Sequence, residues 1–128
     1  MRSIRPRAIT LIGWLFVAVG AAGLLKDLWP LLTSEAAQQL AKLRADGLGD
    51  LGAAWTSRAL AIVGGLGLLR GRRWARWLLA AWMLFHIGLS AVHSVERLTV
   101  HIVIFVPILY FMFRRASDRY FQVAHYAP

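Results

Sequence analysis

The chain has 128 residues, enough for one domain, and 59% of them are hydrophobic against only 16% charged. Soluble domains carry roughly 25% charged residues; the deficit here lies in long uncharged runs, so the composition is suited to lipid as solvent. The absence of cysteine excludes disulfides, thiolate metal sites and a cysteine nucleophile. The net charge of +9 raises nucleic acid as a partner, but the arginines flank apolar runs without a nucleic-acid motif, so they read as contacts to anionic lipid headgroups and no nucleic acid is expected.

Crossing about 30 Å of hydrocarbon takes about 20 helical residues. The first such run spans 8–25. Arg2, Arg5 and Arg7 ahead of it imitate a signal peptide, but the run is long for one and reads as a retained span. Pro30 is expected to stop this span. In the loop that follows, Ser34 suits an N-cap, Glu35 suits a first turn, Ala36, Leu40 and Leu43 recur at helical spacing, and Gly47 is a stop. A short amphipathic helix over 34–46, lying on the outer surface, follows.

The second span is 51–69, interrupted only by Arg58. The third covers 75–95, with no formal charge after Arg76 until Glu96. The fourth, 98–113, is short, and Arg114 and Arg115 can snorkel to complete it. No glycine or proline separates the last two. An unbroken helix from Trp74 to Phe113 would be about 60 Å long, so a tight hairpin at Val95 to Thr99 is expected, with Thr99 as its N-cap. The tail mixes Tyr120, Phe121 and Tyr126 with Arg119 and His125 and is expected on the membrane interface.

Charge sets the orientation. Arg2, Arg5, Arg7, Arg70, Arg72, Arg73, Arg76, Arg114, Arg115 and Arg119 fall on one side, against Lys26, Lys42, Arg44 and Arg97 on the other. Cytoplasmic loops carry the excess of Lys and Arg, so both termini are expected in the cytoplasm of a bacterial inner-membrane protein. Apolar burial does not drive helix association in lipid; small residues do, by allowing close approach. Gly13, Gly20 and Gly23, then Ala61 and Gly65, then Ala81, Gly88 and Ala91 are the expected contact stripes, and Pro107 should kink the fourth span.

Polar groups at membrane depth are the candidate site. Arg58 lies roughly 10 Å below the outer interface by helix rise. His86 sits near mid-membrane, His93 seven residues later on the same face, and His101 opens the fourth span at the depth of His93. With Ser90 and Glu96, these residues can converge in the outer half. An ionisable group in a membrane is costly and calls for a partner or a function. A structural network, with Arg58 paired to Glu96 or Asp50, is the leading reading. Ligation comes next: His93 and His101 on a haem iron, or with Glu96 in a metal site, or His86 against a chlorin or quinone. A proton-linked or anion transporter centred on Arg58 is third. No catalytic residue is assigned and no enzyme is expected: there is no phosphate loop and no HExxH motif.

In layout the chain resembles small bacterial membrane proteins and is similar to four-helix DoxX-type proteins, whose motifs it lacks. The likeness implies an all-α, four-span bundle and no activity. The expectation is an accessory or scaffold subunit, held in lipid and working in a larger membrane complex or as a homo-oligomer.

Overall fold

The computed structural model describes residues 5–33 and 35–123, and every element in it is helical. In chain order these are α1 (Arg7–Leu32), α2 (Ala36–Asp46), α3 (Leu48–Leu69), α4 (Arg73–His93), α5 (Val95–Phe113) and α6 (Arg115–Val123). Four of them, α1, α3, α4 and α5, are long and apolar enough to cross a membrane. The all-helical, four-span architecture is therefore the one the composition demands.

The boundaries differ from expectation at two places, each with a local cause. Pro30 does not stop α1, which continues to Leu32. Proline removes one N–H donor, so only the Lys26 carbonyl loses its partner. That carbonyl lies beyond the apolar run, where water can replace the bond. The hairpin also breaks one residue earlier than expected, at Ser94. Ser94 adopts an extended backbone, and its hydroxyl accepts from the Arg97 N–H at 3.2 Å, so it caps α5 while ending α4. Thr99 lies inside α5 and gives its hydroxyl hydrogen to the Val95 carbonyl at 2.9 Å.

The short helix of the first loop is present as α2, and Gly47 ends it with φ +89. Ser34, the expected cap, lies outside the described residues. The α3–α4 turn is closed by Gly71 with φ +69. There the Arg72 N–H donates to the Gly67 carbonyl at 2.9 Å and the Gly71 N–H to the Leu68 carbonyl at 3.0 Å, the paired bonds of a Schellman cap that need a left-handed residue.

Glycine brings α1 and α3 together. A Cβ on Gly65 would meet the Gly13 carbonyl at 2.7 Å, and one on Gly20 would meet the Arg58 carbonyl at 2.8 Å. The facing pairs Gly13–Leu69, Gly20–Ile62 and Gly23–Arg58 run in opposite directions along the two helices, an antiparallel register. On the other side of α3, Gly64 accepts Leu79 and Gly67 accepts Ala75 of α4. The third stripe behaves differently: Gly88 faces open space, and Ala81 and Ala91 are exposed. That face of α4 points away from the bundle, because α4 turns Leu79, Met83 and Ser90 inward instead.

The buried apolar side chains gather in the arginine-rich half: Ile9, Ile12, Phe16, Leu68, Leu79, Met83, Met112 and Phe121. Helix α6 caps this end. Arg76 is 5% exposed, pairs with Asp118, and lies over the Phe113 and Phe121 rings at 5.3 and 4.5 Å. Arg5 Nε donates to the Tyr120 hydroxyl at 3.3 Å, and that hydroxyl donates to the Leu69 carbonyl at 3.3 Å. The tail up to Val123 is thus a helix docked on the bundle, and Arg76 is packed rather than turned to headgroups.

Candidate functional site

The end of the bundle opposite the α3–α4 turn carries two main polar clusters, and the clefts beside them share His86. The first centres on Arg58. Its Nη1 stands 2.6 Å from the Asp27 carboxylate of α1 and donates to the Gly23 carbonyl. Gly23 makes room for this: a Cβ there would lie 2.9 Å from the Arg58 Cδ. The side chains are 27% and 18% exposed. A charge at this depth is tolerated when paired, and the α1–α3 register supplies the partner. The expected pairing with Glu96 does not form, because Glu96 is exposed in the first turn of α5; the Asp50 side chain lies outside the described residues.

The second cluster is built on α4. Trp82 Nε1 donates to the Ser57 hydroxyl oxygen at 3.0 Å and to its carbonyl at 3.1 Å. The Ser57 hydroxyl then faces His86 Nε2 at 3.4 Å, and His86 Nδ1 is 2.9 Å from the Trp82 carbonyl. The Trp82 and His86 rings lie against each other, centroids 4.1 Å apart. A carbonyl accepts but never donates, so these partners assign the His86 proton to Nδ1 and the lone pair to Nε2. The same backbond recurs at His93, toward the Leu89 carbonyl at 2.7 Å, and at His101, toward the Arg97 carbonyl at 2.7 Å. Ser90 links α4 to α5: its hydroxyl donates to the His86 carbonyl at 2.8 Å and its oxygen lies 3.0 Å from His101 Nδ1.

Two clefts result. One of about 500 Å³ opens between α1, α3 and α4 and is lined by Ser57, Arg58, Trp82, Phe85 and His86 with small residues such as Gly20 and Ala54. The other, about 220 Å³, lies between α4 and α5, where His86, Ser90, His93, Arg97 and His101 meet. The structure thus brings Ser90 and the three histidines together, joins Arg58 to His86 through the larger cleft, and leaves Glu96 out of both.

No family profile, curated protein or solved structure matches this chain. Function must be argued from the side chains alone.

Among the described residues, no three His, Asp or Glu groups are placed to hold a metal ion, so the His93–Glu96–His101 metal site does not assemble. Small-molecule sites typically measure about 300–1,000 Å³; the open cleft shared by His93 and His101 falls below that range. The larger cleft falls within the range and offers one imidazole. An anion approaching Arg58 would have to compete with Asp27. Asp27, Ser57 and Trp82 were not picked out by sequence reasoning. Depth gave no signal for Asp27, which lies just past the first apolar run, whereas Arg58 lies inside the second.

Proposed function

We propose that this chain is an accessory or scaffold subunit of the bacterial inner membrane, both ends in the cytoplasm, working in a larger membrane complex or with copies of itself. The observation that carries the reading is the division of labour between helices. Arg58, Ser57, His86 and Ser90 find their partners within the bundle, and so serve to fix register. Helix α5 buries only Met112 among its 19 residues, while the adjoining outer face of α4 leaves Gly88 open. In lipid, close approach at small residues is what drives helix association, so this face suits a further helix. Purification in mild detergent with native mass spectrometry tests it: a co-purifying subunit or a homo-oligomer supports the reading, and a strictly monomeric chain overturns it.

A second reading has one specific observation behind it. The larger cleft sets the guanidinium of Arg58 and the imidazole of His86 in an otherwise apolar wall. Arg58 supplies the donors there and His86 an aromatic face, which suits a lipophilic molecule with acceptor oxygens, such as a quinone. Organic extraction and absorption spectroscopy of the purified protein test it. A quinone that is lost in Arg58→Met supports binding; an extract without one ends this reading.

A further inference from the structure

The arginine-rich end holds a third cleft, of about 380 Å³, remote from both polar clusters and lined by Val63, Leu66, Gly67, Arg70, Arg72 and Trp74. Its wall changes character along the membrane normal. Val63 and Leu66 belong to the apolar run of α3, whereas Arg70 and Arg72 stand in the turn where that run ends. Trp74 closes the side. Its position is set by Gly67, where a Cβ would lie 3.2 Å from the indole ring and 2.7 Å from Ala75. Val63 and Trp74 are about half exposed, so the cleft opens sideways toward lipid.

Charge decides what fits there. Arg70 and Arg72 are exposed, and among the described residues neither has an acidic partner. Asp118 is the one acid in the segments that build this end of the bundle, and Arg76 holds it. A cleft that is apolar above, cationic below and bounded by an indole matches one molecule end to end: acyl chain, anionic phosphate and interfacial glycerol. We propose that this cleft is a binding site for a single anionic phospholipid, its phosphate between Arg70 and Arg72 and an acyl chain along Val63 and Leu66. Whichever way the bundle inserts, the site lies at the headgroup level of the leaflet facing the arginine-rich end.

The test uses the full-length chain in mild detergent, titrated with phosphatidylglycerol or phosphatidylcholine and read by native mass spectrometry. One phosphatidylglycerol should be retained preferentially. Arg70→Gln with Arg72→Gln should weaken retention about fivefold for each arginine removed. The charge-matched control, Arg115→Gln with Arg119→Gln on the exposed face of α6, should change it less than twofold. Equal losses in the two double variants would mean a diffuse cationic surface and would overturn the site. Should the first double variant not fold, the wild-type chain still decides. Brominated phosphatidylglycerol should quench the fluorescence component that Trp74→Phe removes, more than brominated phosphatidylcholine does, and glycerol phosphate should not displace it. Equal quenching by both lipids, or displacement by glycerol phosphate, refutes a phospholipid site.

Discussion

Gly65→Ala is the sharpest probe of how this bundle is held. The new Cβ would stand 2.7 Å from the Gly13 carbonyl oxygen, 3.0 Å from Val17 and 3.1 Å from the Phe16 Cβ. The first contact is backbone and cannot rotate away. Ordinary contact begins near 3.4 Å, so α1 and α3 must part by roughly 0.7 Å, and a gap of that size forfeits about a quarter to a half of each dispersion contact it opens. Overpacking of this kind costs about 1–3 kcal/mol; at about 2 kcal/mol the ratio of folded to unfolded protein falls roughly 30-fold. Gly52→Ala, on α3 itself, is the matched control, since nothing lies within 4 Å of its Cβ. Replacing a helical glycine there should be neutral, or stabilise by about 0.5–1 kcal/mol. Unfolding of each variant by added SDS in mixed micelles, followed by circular dichroism, measures both. If the two variants unfold at the same SDS fraction, the glycine-mediated α1–α3 contact is not what holds the bundle.

Arg58→Met should destabilise more than the double variant Asp27→Asn, Arg58→Met, because the single change strands the Asp27 carboxylate; a double-mutant cycle by the same SDS titration should return a coupling of at least about 1 kcal/mol. Phe121→Ala should undock α6 by removing a fully buried side chain and the ring beneath Arg76, and limited proteolysis should then cleave after Arg115 or Arg119 severalfold faster than in the wild type. Unchanged cleavage would show that the tail is held otherwise. The chain has no cysteine, so single cysteines at Arg72, Arg119 and Lys42 can be labelled in intact spheroplasts. Arg72→Cys and Arg119→Cys should be protected and Lys42→Cys labelled; Arg72→Cys and Arg119→Cys on opposite faces would disprove the proposed topology.

The amino-acid sequence by itself determined the number of long apolar helices. Lipid imposes a length of about 20 apolar residues on each span, and that one-dimensional rule needs no knowledge of neighbours. Gly13, Gly20 and Gly65 were legible as contact residues for a similar reason, since close approach has few other uses for glycine on a lipid-bathed helix. Helix ends were less legible. Ser94 and Thr99 are both good caps in composition, and which one acts depends on where the chain has to reverse.

Partners were beyond the sequence. Sequence reading offered Arg58 either Glu96 or Asp50, and the α1–α3 register, set by glycines along both helices, selected Asp27. The tail carried no sign that Asp118 would meet Arg76 or that Phe121 would be fully buried. The Gly88 stripe was expected to be a contact face like the one around Gly65, yet it faces outward. Span length is a property of one helix, whereas a contact belongs to two helices and the rotation between them, which only the packed tertiary structure decides.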